Sequence, residues 1–279
     1  MSETNAGNGH FPFANKKAAL VVAHPGHELK VHGWLEAARP LVFVLTDGSG
    51  RSTQSRLGST TAVIEQARAQ VGGIYGCFTD RAAYAAILNH HFDLFIELAG
   101  KLSRAFVNER IDLVAGDAME GYNPMHDVCR LVIDAAVEAA AQTAGQTITN
   151  LAFSLVDDAP ASPGSPQANE FWLQLDEEAF QRKITAAYGY HELAGEVYEA
   201  LEGAAVDGFR VERLRAPDSD VDVRYWSESP PFYEQYGEKQ VAAGHYDRVL
   251  RYSQHVKPLA DTLAAWSRSL KVTSQKAGR

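Results

Sequence analysis

The sequence predicts an α/β fold built on a largely parallel sheet flanked by helices. Short, continuous apolar runs recur along the chain, at residues 18–23 (AALVVA), 41–46 (LVFVLT), 111–115 (IDLVA) and 151–156 (LAFSLV). Segments with apolar residues at helical spacing lie between them. The first three runs stop at turn signals: His24-Pro25-Gly26, Asp47-Gly48-Ser49-Gly50 and Gly116-Asp117. Runs that are apolar on both faces suit strands inside a parallel sheet, and their alternation with helices is the pattern of βαβ units.

Each element follows from local chemistry. Residues 27–39 carry Leu29, Val31, Trp34, Leu35 and Ala38 at roughly helical spacing, so the first 50 residues read as strand, loop, helix, strand. Residues 59–71 read as a helix stopped by Gly72-Gly73. Residues 82–107 form a long helical stretch with a break placed near His90-His91. Asn123 and Pro124 suit an N-cap and first helical residue. That helix passes Leu131, Val132, Ala135 and Ala139, and Gly145 ends it. Residues 157–167 (DDAPASPGSPQ) are a long loop. Asp176-Glu177-Glu178 opens a helix predicted to run to about Glu202, since acids suit a first turn. Residues 209–214 (FRVERL) alternate as a half-buried strand. Residues 217–231 are irregular and acidic, and a final helical segment covers about 241–270. There is no internal repeat and no heptad register. The predicted organisation is a flexible arm over 1–16, an α/β body over 17–215, and an aromatic-rich segment with a helix over 216–279 packed on that body.

Composition excludes several functions. The chain has 279 residues, with 26 Lys and Arg against 35 Asp and Glu, a formal net charge of −9. That balance argues against sequence-independent nucleic-acid binding, which needs clustered cations. Cys77 and Cys129 lack CxxC spacing and are too few for a disulfide framework, so a reducing, cytoplasmic setting is expected. Residues 1–15 have neither the basic nor the apolar part of a signal peptide. No run approaches the roughly 18 apolar residues of a membrane span. A homo-oligomer is left open.

The ten histidines are the chemical question. Active sites of open α/β sheets lie beyond the C-terminal ends of the strands. The first such loop is His24-Pro25-Gly26-His27-Glu28. The second, residues 116–130, carries His126 in the first turn of a helix, where the helix dipole disfavours imidazolium and keeps the ring neutral, as a ligand must be. Three histidines on two strand-to-helix loops at the same edge of one sheet suit a catalytic zinc with an open position. Spacing alone reads equally well as a turn residue, an exposed helix start and a hydrogen-bonded surface imidazole. His191 is expected to be packed or capped. His90 and His91 point to different faces, and His245 and His255 are expected on a solvated face. Tyr225, Trp226, Phe232, Tyr233 and Tyr236 are expected to pack the C-terminal helix, with a sugar-stacking or lid surface as the alternative.

These loops resemble those of the PIG-L/LmbE-like metal-dependent N-deacetylases. That family carries a first-strand motif A-H-P-D-D-E and a later H-P-D-H at a helix start; here A-H-P-G-H-E fills 23–28 and N-P-M-H fills 123–126. L-T-D-G-S-G (45–50) is similar to the family's second strand and Gly loop, and E-E-A-F-Q-R-K-I-T-A-A-Y-G-Y-H (177–191) to its late helix. The resemblance spans roughly 17–214 and implies a Rossmann-like fold, with a helical C-terminal extension outside it. It also implies a carbon–nitrogen hydrolase, not a peptidase, that removes acetyl groups from N-acetylglucosamine-type sugars with one zinc per chain. His24, His27 and His126 occupy the ligand positions, with imidazole at 27 where the family has a carboxylate. Gly26 stands at the general-base position, and Asn123 and Met125 replace the His and Asp of H-P-D-H.

A site with two His and one carboxylate leaves zinc a net charge of +1, whereas three His leave +2. The retained charge acidifies bound water more strongly and lowers the need for a separate base. A hydrolase still needs a proton donor for the leaving amine. The candidates are Asp117, Glu120, Asp127, Asp47 and Glu28, with Arg56 placed to fix an anionic group or an oxyanion. Asp127 can instead orient His126, Glu28 can be a supporting acid, and each charge can be a solvated surface group. The expected partner is a small amino sugar or sugar conjugate. The alternative is a metal- or sugar-binding protein on the same scaffold with altered catalysis. A third reading is a different metal-assisted reaction on a nucleotide-sugar or carboxylate. No GxGxxG follows the first strand, which argues against dinucleotide binding.

Overall fold

The computed structural model describes residues 16–50, 53–145, 147–156, 170–201, 206–217 and 229–277. Its centre is a seven-stranded sheet of β1 (Ala18–Val22), β2 (Leu41–Thr46), β3 (Gln70–Phe78), β4 (Leu113–Asp117), β5 (Thr149–Phe153), β6 (Glu170–Gln174) and β7 (Val211–Arg215). The strand order is β3-β2-β1-β4-β5-β7-β6. The first five strands are mutually parallel, and β7 and β6 extend one side in antiparallel fashion. This is the predicted α/β fold with a largely parallel sheet.

β1 lies in the middle because both of its faces are apolar. Ala19, Val21 and Ala23 join one core with Phe43, Leu45 and Val114. Ala18, Leu20 and Val22 join the other with Val42, Val44, Leu113 and Ala115. The first core is completed by α3 (Asp80–Leu88), α4 (Asp93–Asn108), α5 (Pro124–Ala144) and the C-terminal α9 (Lys257–Ala277). The second is covered by α1 (His32–Ala38), α2 (Leu57–Gln66) and α6 (Glu177–Tyr188). Strand order reverses at β1, so the chain leaves β1 toward one face and β4 toward the other. A crevice opens beyond such a switch point, at the C-terminal strand ends.

Several elements differ from the sequence reading, each for a local reason. Gly72 and Gly73 lie inside β3, an edge strand with irregular register against β2, rather than ending a helix. Three glycines and half-exposed faces hide its period. β6 pairs only with β7. The stretch 27–39 divides into a 3-10 turn, His27–Val31, and α1, with a break at Val31 (φ −119°, ψ 35°). The predicted break near His90 is present, with His90 at φ 57° between α3 and α4. The predicted helix 176–202 is interrupted after α6 by a 3-10 turn, His191–Leu193, before α7 (Ala194–Leu201). There Tyr190 leaves helical geometry and its buried hydroxyl meets Thr60 Oγ1 at 2.7 Å. The predicted helix 241–270 starts late, at a π-turn over Tyr252–Val256 that leads into α9, and a separate helix, α8 (Phe232–Ala242), ends before it near left-handed Gly244.

The predicted arm (through residue 15), the loop 157–167, and Tyr225 and Trp226 lie outside the described residues. Of the remaining aromatics, Tyr233 packs into the core as expected. Phe232 and Tyr236 are exposed instead, and Phe232 stacks on Tyr122 with ring centres 5.1 Å apart. His191 is exposed, and His255 is buried rather than solvated. No helix among the described residues is long and apolar enough to cross a membrane.

Candidate metal centre

The crevice at the switch point gathers His24, His27 and His126. Ring centres are 5.2 Å apart for His24–His27, 5.4 Å for His24–His126 and 4.6 Å for His27–His126. A tetrahedral zinc with Zn–N of about 2.0–2.1 Å places its imidazole centres about 5 Å apart. The spacing therefore suits one ion. Among the described residues, no group of three or more His, Cys, Asp or Glu side chains is closed into a ready-made cation site. The rings have the separation of a ligand set, while their donor atoms are not yet gathered on one point.

The hydrogen bonds fix which nitrogen two of the rings present. His24 Nδ1 lies 2.8 Å from Thr46 Oγ1 and 3.0 Å from Asp80 Oδ1. The Thr46 hydroxyl donates its one proton to Ala23 O, so it accepts from His24. Nδ1 therefore carries the ring proton and Nε2 carries the lone pair. That Nε2 is buried and has no hydrogen-bond partner. His27 Nδ1 lies 3.0 Å and 3.1 Å from the two oxygens of Asp117, and donation to this carboxylate leaves its Nε2 as the acceptor. Imidazole held by carboxylate at the far nitrogen is the usual support of a metal-binding histidine. His126 Nδ1 is also buried without a partner.

Local structure places these groups. Asp117 ends β4, and one of its oxygens takes the Ala23 N–H at 2.8 Å, which ties the two loops together. Gly26 adopts φ 104°, which turns the chain so that His27 returns toward Asp117. Asn123 caps α5 by accepting from Met125 N at 2.8 Å, as predicted, and also takes the Tyr84 hydroxyl. His126 follows in the first helical turn.

Burial dominates the electrostatics. It lowers the pKa of His126 well below 6.5, and the His27 and His24 rings lower it further. Burial also lowers His27, although Asp117 pulls the other way. Burial pushes the Asp80 carboxyl up, but its hydrogen bonds with His24 and the Gly50 N–H overcome it and hold Asp80 far below the ordinary carboxylate value. Glu28 is fully buried and takes the Gly26 N–H at 2.8 Å; burial raises its pKa to about 7. The lowered pKa values of His126 and His27 favour neutral imidazoles, the form a cation requires.

The remaining candidates divide by what they hold. Asp117 contacts the centre directly. Asp127 accepts from Glu120 N and Gly121 N and shapes the loop before α5. Glu120 accepts from Leu155 N, Val156 N and Ser154 Oγ beyond the end of β5. Asp47 accepts from Ser49 N and Asp80 N. Arg56 Nε donates to Gly48 O at 2.5 Å, and its charge reaches both Glu28 and His27. Sequence reasoning missed Asp80 and Thr46. Thr79-Asp80 is an N-cap and first helical residue, a signal readable only once β3 is recognised before it.

Two solved structures share this architecture. The A40926 pseudoaglycone deacetylase Dbv21 is 19% identical, with a TM-score of 0.50 over 72% of this chain and 96% of its own. A deacetylase of the teicoplanin biosynthesis pathway, solved as a complex with bog, is 14% identical, with a TM-score of 0.50 over 73% of this chain and all of its own. The chain shares the fold of these two deacetylases. No family model and no curated protein matches it. At such identities the likeness carries the fold alone.

The space at Gly26 bears on the motif resemblance of the first loop, which puts a general base at that position. A Cβ at Gly26 would sit 2.5 Å from Leu193 Cδ1 and 3.7 Å from the Tyr190 ring and hydroxyl. The turn after α6 therefore fills the volume that a carboxylate would need.

Proposed function

We propose that this chain is a zinc-dependent deacetylase acting on the N-acetyl group of an amino sugar or sugar conjugate. His24, His27 and His126 hold the ion, the first two through Nε2. A bound divalent ion supplies Lewis acidity toward an amide carbonyl and lowers the pKa of water. Asp117 and the Asp80–Thr46 pair keep the two imidazoles in the ligand tautomer. Arg56 adds positive charge beside His27, suited to an oxyanion or an anionic substrate group. With Gly26 in the base position and Asp117 engaged with His27, the acid left to move a proton to the leaving amine is Glu28, whose pKa burial raises to about 7. The observation that carries this reading is the pair of imidazoles whose Nδ1 atoms are anchored by Asp117 and by Asp80 with Thr46, in rings that stand 4.6–5.4 Å from one another and from His126. The test is acetate release from N-acetylglucosamine conjugates by zinc-loaded protein. Turnover that falls more than 100-fold in His27→Ala is the expected result. A purified chain that takes up no stoichiometric metal sinks the reading.

The packing of Leu193 and Tyr190 over Gly26 favours a second reading, a metal- or sugar-binding protein without turnover. Stoichiometric zinc binding with no acetate release from any N-acetyl sugar supports it over the first.

A further inference from the structure

Lys183 and Glu212 form an ion pair that has no part in the chemistry above. Nζ and Oε1 are 2.8 Å apart, and the two side chains are 5% and 1% exposed. Burying such a pair is often no better than burying apolar groups, so its other bonds are informative. Glu212 Oε1 accepts from Gly33 N and Oε2 from Trp34 N, both at 2.8 Å. Lys183 Nζ donates to Lys30 O at 2.9 Å. These three backbone groups flank the break at Val31, where the turn carrying His27 and Glu28 ends and α1 begins. Val31, at the N-cap of α1, has no side-chain cap of its own.

A broken helix leaves amides unsatisfied on one side and carbonyls on the other. Here a carboxylate from β7 takes the amides at the positive end of α1, and an ammonium from α6 takes the carbonyl at the negative end of the turn. The carboxylate lies against Gly33, where Leu175 packs closely. A Cβ there would lie 2.2 Å from Leu175 Cδ2 and 3.4 Å from both Glu212 oxygens.

We propose that the Lys183–Glu212 pair is a positioning device: by capping both sides of the Val31 break it fixes the turn that presents His27 to the metal centre. The inference rests on the reading of His24, His27 and His126 as metal ligands. His27 is then held from two directions, by Asp117 at its ring and by Lys183 three residues later at the backbone.

The test is a zinc titration of the full, metal-stripped chain. The variant Lys183→Met/Glu212→Gln removes both charges together and avoids stranding one. Glu212→Gln keeps the side chain's shape but gives up its charge on the Gly33 and Trp34 amides, and it serves if the double variant does not fold. Zinc Kd at least tenfold weaker in either folded variant is the expected result. Leu263→Ala, in the opposite core, should lower Tm and leave Kd unchanged. A Kd within twofold of the parent in a folded variant overturns the proposal. If the parent itself binds no zinc, the metal reading fails and the positioning role is judged by imidazole ¹⁵N NMR. A single Nδ1–H tautomer at His27 in the parent that becomes mixed in the variants supports it, and an unchanged tautomer overturns it.

Discussion

Asp117 joins two loops with one carboxylate, accepting the Ala23 N–H and orienting His27. Asp117→Asn keeps the shape but replaces one oxygen with an amide that can only donate. Loss of such an orienting group typically weakens metal binding about 10–100-fold. A competition titration against a chelating dye should show that loss with the fold retained; equal affinity would remove Asp117 from the site. Gly26 is the other decisive residue. A side chain there meets both Leu193 and a φ of 104°, and strain of this kind costs on the order of 1–3 kcal/mol. Gly26→Asp is therefore expected to lower stability in a denaturant titration and to add no acetate release over the parent. A gain in acetate release would show that Leu193 yields and that the base position still works.

At the scale of elements, the site depends on how α5 begins. Asn123 caps that helix, and His126 sits in its first turn. Removing an N-cap costs about 0.5–2 kcal/mol, and a frayed first turn no longer holds His126 against His27. Asn123→Ala should thus lower Tm and weaken zinc binding together. A drop in Tm with unchanged zinc affinity would show that the 120–123 loop, through Asp127, holds His126 without the cap. This helix start was legible in the sequence because Asn-Pro is a purely local signal. The turn over Gly26 was not, because Leu193 and Tyr190 arrive from α6 more than 160 residues later. β3 and Asp80 were missed together, since an edge strand rich in glycine shows no apolar period.

For the whole molecule, burial sets the response to acid. Burial lowers the pKa of His32 below 6.5, although Glu36 and Glu212 oppose it. As pH falls, the unfolded chain takes up that proton first. The stabilisation is therefore complete above the unfolded value of 6.5 and is lost as pH falls through the folded one. Glu28, raised from 4.5 to about 7, works the opposite way: its contribution is present below 4.5 and lost as pH rises through about 7. A comparison isolates His32. The fall in Tm from about pH 7.5 to about pH 5.5 should be smaller in metal-free His32→Gln than in the metal-free parent, as read by calorimetry. An identical fall would mean that His32 is protonated in the folded state at no cost.

The sequence by itself determined the parallel core of the sheet, the helix starts at Asn123 and Asp176, and the three histidines as candidates, because apolar runs, caps and motif spacing are local properties. Only the tertiary structure decided that β1 and β4 are neighbours at the point where strand order reverses. That adjacency brings His126 within 4.6 Å of His27, ring centre to ring centre. The tertiary structure also decided the tautomers, through Thr46, Asp80 and Asp117, and the filling of the Gly26 space by Leu193. Each of these depends on which distant segments share a buried volume, and close packing settles that across the whole chain at once.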